Sequence, residues 1–128
     1  FHVLPRNARL ESFQPHMHWR GKAMSMEAIL PDGTRQVLSQ VDDYNFNWHI
    51  NYMYADQAAP LLPKGTIVHV TSWHDNTPAH RSNPDPTQWV TWGDRTVDEM
   101  SHAWVGVTYL NDDEFRTELE ARKNGTRK

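Results

Sequence analysis

The sequence predicts an all-β chain, an antiparallel β-sandwich of jelly-roll kind with one short C-terminal helix. Three observations carry that expectation: several short segments alternate apolar and polar residues, turn signals separate them, and only one stretch bears helix-capping chemistry. At 128 residues the chain is one domain's worth, residues 1–128, long enough to bury a core without disulfide or metal staples.

Residues 8–19 read as the first strand, with Pro15 implying an edge or a bulge just before His16. Over 22–30 the alternation is clean, with Met24, Met26, Ala28 and Leu30 on one face and Ser25 and Glu27 on the other. Pro31-Asp32-Gly33 is a turn, and residues 34–41 are the returning strand of the hairpin. Residues 42–63 carry Tyr44, Phe46, Trp48, Tyr52 and Tyr54 with no clear period, and close on Leu61-Leu62-Pro63 before a turn at Lys64-Gly65. The most β-branched run, 66–73, reads as a central strand.

From 75 to 95 the chain becomes polar and proline-rich, with Pro78, Pro84 and Pro86. It reads as a long ordered loop, of a length that in compact domains is often functional. Residues 97–110 read as the last strand: Ser101, Ala103, Val105, Val107 and Tyr109 face the core, and Met100, His102 and Trp104 share the opposite face. Asn111 with Glu114 three residues on is a capping-box pattern. It opens a helix over about 112–123, which Asn124-Gly125 would stop and which Phe115 and Leu119 would dock.

A formal charge of −3 and the absence of a basic run exclude a nucleic-acid surface, and no apolar run is long enough to span a membrane. With no cysteine, a bound metal must use His, Met, Asp, Glu or backbone oxygen; eight histidines and six tryptophans are the compositional oddity. The chain starts at Phe1 without a signal sequence, which suggests a processed piece of something longer.

The chain is organised around Pro15-His16-Met17-His18-Trp19-Arg20-Gly21-Lys22. Side chains at i and i+2 of a strand project to one face, so the imidazoles of His16 and His18 can converge on one ion. Two surface histidines are the bland alternative. Far downstream stands Asp98-Glu99-Met100, with the methionine on the face opposite the aliphatic run. A thioether is a soft ligand and imidazole an intermediate one, so two His and one Met favour Cu(I) over zinc, calcium or iron. The bland reading of Met100 is a core methionine.

The string His16-Met17-His18 with Arg20-Gly21-Lys22, then Ser72-Trp73-His74-Asp75-Asn76-Thr77, then Trp92-Gly93 and Asp98-Glu99-Met100, resembles the C-terminal catalytic domain of the type II copper, ascorbate-dependent monooxygenases. The resemblance spans about residues 8–110. It is nearer to bacterial proteins with this domain, in which Asn83-Pro84-Asp85-Pro86 and the Trp-Gly string recur. It implies a β-sandwich whose His16, His18 and Met100 are the copper ligands and catalytic centre at which O2 is activated. It further implies ascorbate or another reductant, a small-molecule substrate, and a secreted location, periplasmic or extracellular.

Departures bear on substrate. Where the peptide hydroxylases of the family carry an arginine for the peptide carboxylate stands Gln14, and further substrate-contact positions carry His102 and Trp104. The resemblance therefore does not extend to peptide amidation. The family's disulfide beside the methionine is also missing, with Trp73 and Ser101 at those places. His102 is open to three roles: fourth ligand, proton donor or polar face residue. The family also uses a second copper held by three histidines of a preceding domain, for which this chain has no room.

Two functions follow. In one the chain is the oxygen-binding half of a longer hydroxylase, not competent alone and partnered by an upstream copper domain. In the other it is a non-catalytic copper-binding or structural module of a secreted or surface assembly, with oligomerisation open. His49 and His69 read as packing histidines. His74 and His80, flanking the long loop, match no metal motif, although His74 is kept as a pocket or extra-ligand candidate. Asp75, Asn76, Asn83 and Asp85 read as turn formers before calcium ligands. Trp89 and Trp92 either wall a pocket or cap the sandwich, and no nucleophile triad, phosphate loop or cupin pattern is present.

Overall fold

The computed structural model describes residues 1–125. Two antiparallel sheets face each other, formed by β1 (His2–Val3), β2 (Asn7–Met17), β3 (Gly21–Ile29), β4 (Arg35–Val41), β5 (Tyr52–Met53), β6 (Leu61–Leu62), β7 (Ile67–His74) and β8 (Ser101–Leu110), with α1 (Asp112–Gly125) at the end. One sheet has the order β1-β7-β3-β4; in the other β2 pairs with β8 on one side and with the short β5 and β6. The expected all-β sandwich with a single C-terminal helix is what the chain forms.

The alternation read from the sequence decides which side chains meet between the layers. Leu10, Phe13 and Met17 of β2 and Met24, Met26 and Ala28 of β3 are fully buried, joined by Leu4, Leu62 and Val68. Three of the five methionines are thus core residues; Met53 is exposed and Met100 is half-buried outside the core. The β3–β4 hairpin closes as expected, with Gly33 at φ 86° and the Asp32 carboxylate accepting from the Thr34 amide at 2.8 Å.

The bulge in β2 lies between Leu10 and Ser12 instead of at Pro15, and Gly106 opposite it is needed because a Cβ there would stand 2.7 Å from Ser12 Oγ. Pro15 pairs with Ala103 beyond the reach of β5, where the open side of β2 needs no amide donor.

Four expectations need correction. The last strand begins at Ser101, not 97, because the backbone of 97–99 is bonded elsewhere: the Val97 carbonyl to Arg20, the Asp98 carbonyl to His18, and the Glu99 amide to the Thr91 carbonyl. Val107, expected in the core, is 36% exposed, since it lines a crevice of about 270 Å³ where the layers part beside Leu4, Val68 and Tyr109. The helix runs to Gly125. Its Asn111–Glu114 capping box forms reciprocally at 2.8 and 2.9 Å, but no helix residue is buried, and Phe115 and Leu119 dock it only partly.

Candidate metal centre

The core-facing residues of β2 leave Gln14 and His16 on its outer surface, and the β8 register sets Gln14 opposite Trp104 and His16 opposite His102. The pairing ends at Met17–Ser101, and Met100 follows just outside the strand, half-buried. The chain turns sharply just after His18, where the Gly21 amide donates to the His18 carbonyl at 2.8 Å. A Cβ on Gly21 would lie 2.4 Å from Met17 Cβ, so only glycine fits this turn.

The rings of His16 and His18 meet edge to face with centroids 5.5 Å apart. His18 is buried, and its Nδ1 lies 3.1 Å from the Asp98 carbonyl oxygen. A carbonyl only accepts, so Nδ1 carries the proton and Nε2 keeps its lone pair for a ligand. His16 is also approached by His49, stacked at 5.2 Å, and by His102 at 6.3 Å. Burial, and then the neighbouring His49, His18 and His102, hold the His16 imidazole below its ordinary 6.5, so it is uncharged at neutral pH.

His49 is the residue that sequence reasoning missed. It was read as packing, yet it is exposed and lies against His16. Its loop, residues 42–51, is fastened by Gln14 Nε2 donating to the His49 carbonyl at 3.3 Å, and Phe46 sets its ring edge-on to both His49 and His18. The only hint in the sequence was the density of aromatic residues from Tyr44 to Tyr54.

Other histidines stand apart. His69 Nδ1 meets the Glu27 carboxylate at 2.9 Å on the far sheet, with its side chain partly exposed. His74 Nε2 lies 2.9 Å from Glu99 Oε2 without hydrogen-bond alignment and donates to the Met100 carbonyl at 3.4 Å, so it touches the backbone of Met100 and not the imidazole cluster. It also lines a cleft of about 430 Å³ with Lys22, Trp73 and Asp75. His80 is tied to the Asp75 carbonyl at 3.0 Å. Asp75 and Asp85 cap turns by accepting from the amides of Thr77 and Thr87, the turn-forming role expected of them.

The long loop, residues 75–100, is gathered by Arg20, which is only 3% exposed. Its guanidinium donates to Asn76 Oδ1 at 2.7 Å, to the Val97 carbonyl and to the Asp85 carbonyl at 3.3 Å. Next in line, Arg95 forks onto Asp98 at 2.7 and 3.0 Å, and this bonding holds the Asp98 carboxyl below the usual carboxylate value. Arg20 and Arg95 thereby fix the carbonyl that orients His18.

Tyr44 performs the same service for β2. Its hydroxyl accepts from the Met17 amide at 3.0 Å and donates to the Met17 carbonyl at 2.8 Å, locking the backbone between the two histidines. Tyr44→Phe orphans both groups in a buried setting, and a loss of about 1–3 kcal/mol is expected in denaturant unfolding. Burial raises the Tyr44 phenol above 10.0, so the fold favours its neutral form. That stabilisation is complete below pH 10.0 and is lost as pH rises through the folded value. Tyr54 is raised likewise, so absorbance titration should show two late phenols in the wild type and one in the variant.

Among the described residues, no three or more His, Asp or Glu side chains are arranged to hold a metal ion by themselves. The pair His16–His18 does fit a metal that takes imidazole, because the two rings stand 5.5 Å apart and His18 Nδ1 is engaged by the Asp98 carbonyl, which leaves Nε2 for a ligand. The chain matches no protein-family model, no curated protein and no solved structure.

Proposed function

We propose that this domain is the oxygen-binding copper module of a monooxygenase-like protein, with His16, His18 and Met100 as the ligands. The observation that carries the reading is the edge-to-face approach of His16 and His18 at 5.5 Å, with His18 Nδ1 spent on the Asp98 carbonyl. Bound copper would supply a redox-active centre with an open position for O2 activation and C–H hydroxylation. The chain's own part is positioning: Asp98 fixes the tautomer of His18, and Tyr44 fixes the strand between the histidines. Gln14, His102 and Trp104 present polar and aromatic surface on the same face to a small-molecule substrate, whereas His74 borders the separate cleft.

Ascorbate or a similar reductant, and a second copper domain outside this chain, complete the electron supply in this reading, which places the protein in the periplasm or outside the cell. A non-catalytic copper-binding or assembly module is favoured by the exposure of Trp48, Met53 and Trp104, at 65–67%, around the same face. Incubating the longer parent protein with copper, ascorbate, O2 and a panel of small C–H substrates separates the two. Hydroxylated product supports the enzyme, and copper uptake with no product over the panel supports the binding module.

A further inference from the structure

We infer that the cleft beside Trp73, on the outer face of the β1-β7-β3-β4 sheet, binds a neutral saccharide, with the indole stacked on the sugar ring and Lys22, Gln40, Asp42 and Asp75 bonding its hydroxyl groups. The site uses none of the proposed copper ligands.

Met24, Met26 and Ala28 of β3 point into the core, so Ala23, Ser25 and Glu27 point outward. The register sets Trp73 beside Ala23 and Gln40 beside Ser25 on that outer face. Ala23 contributes only a methyl group, which leaves a dip between the indole and the end of β4. Its volume is about 430 Å³, within the range of about 300–1,000 Å³ usual for small-molecule sites. Trp73 lines the dip and is 47% exposed, so core burial does not account for this large apolar side chain.

The polar rim is built of pairs, each a donor beside an acceptor. Lys22 Nζ stands 3.4 Å from Asp75 Oδ2, and at the end of β4 Gln40 Nε2 donates to Asp42 Oδ1. A hydroxyl both donates and accepts, and neighbouring hydroxyls on a sugar ring present the two functions side by side, which such pairs match. The two carboxylates keep lone-pair sites beyond those spent on Lys22, Thr77 and Gln40. Sugar C–H groups carry a slight positive charge and are drawn to the negative face of the indole. Other ligand classes fit less well. One ammonium against two carboxylates disfavours a phosphate or carboxylate ligand, while Lys22, already beside Asp75, repels an organic cation. A wholly apolar ligand would cover the rim groups and leave them without water.

The cleft is open to solvent, so a bound sugar keeps one face wet and its affinity is weak, in the millimolar range. A free sugar and a ring within a glycan chain share the same chemistry over the indole. They differ in whether further rings add contacts along the sheet.

The test titrates cellobiose, maltose, chitobiose and mannobiose, with choline as a cationic control, into 15N-labelled protein and follows indole and backbone amide resonances. At least one disaccharide should bind the wild type, with saturable shifts of Trp73 Nε1–H and of the Gln40 and Asp75 amides. Trp73→Ala should weaken that binding at least about tenfold, the usual scale for loss of an aromatic anchor, and Trp73→Phe should restore part of it. Gln40→Ala, at an exposed position whose loss should not disturb folding, should weaken it about threefold or more. Tetrasaccharides of the same sugar separate the sources: tighter binding than the disaccharide marks a glycan chain, and equal binding marks a free sugar. The inference is overturned by no saturable shift with any of the disaccharides, by shifts with choline alone, or by affinity unchanged in both Trp73→Ala and Gln40→Ala. Cu(I) uptake should be unaltered in Trp73→Ala, so failure of the copper site and failure of this one are read separately.

Discussion

His16→Ala is expected to abolish Cu(I) uptake, from about one equivalent in the wild type to none that competes with a chelator. His16 is the centre of the imidazole cluster, with ring centroids at 5.5 Å to His18, 5.2 Å to His49 and 6.3 Å to His102, whereas among these ring contacts His18 meets only His16 and Phe46. Removing it leaves single imidazoles with no shared focus, and one imidazole holds an ion far more weakly than a chelating set. The substitution should leave the apo fold standing. The side chain points away from the core, and such outward positions usually change stability by no more than about 0.5 kcal/mol. Apo melting temperatures of variant and wild type should therefore agree to within roughly 2 °C while copper binding is lost. Uptake that survives the substitution would remove His16 from the ligand set.

Much of the fold is legible in the sequence because it is set by local chemistry. The alternation through Met24, Met26 and Ala28 needs only a strand and a buried side, and the Asp32-Gly33 turn and Asn111–Glu114 cap are closed by residues two to three apart. His16 and His18 share a face for the same local reason. What could not be read is long-range. The two-residue strands β1, β5 and β6 exist only because a longer strand offers them hydrogen bonds. The late start of β8 follows from Arg20 and His18 claiming the carbonyls of Val97 and Asp98 across the fold, and no periodicity in 97–110 announces that. His49 was missed because its partner lies 33 residues away and its own neighbours look like packing aromatics.

Arg20 connects these long-range features, and Arg20→Met should be the most damaging substitution outside the ligands. Methionine keeps most of the buried volume, so what is lost is the guanidinium and its bonds to Asn76, Asp85 and Val97. Hydrogen bonds to a charged donor are worth about 1.5–3 kcal/mol each, and solvent entering a loosened loop offsets part of the loss. A net destabilisation of roughly 3 kcal/mol is expected, seen as a fall of roughly 10 °C in melting temperature. The damage should be uneven. The β3–β4 hairpin owes nothing to Arg20, whereas the amides of Gly93, Asp98 and Glu99, bonded within the loop, should exchange their hydrogens much faster. With residues 97–99 free to move, the Asp98 carbonyl no longer holds His18 Nδ1, and loss of such an outer partner usually weakens metal binding 10–100-fold. Arg20→Lys restores the charge but not the fork, since one ammonium cannot reach three acceptors set in different directions, so it should recover only a minor part of both effects. Full recovery by lysine would mean that charge alone secures the loop; unchanged exchange in the methionine variant would mean that the loop stands without Arg20.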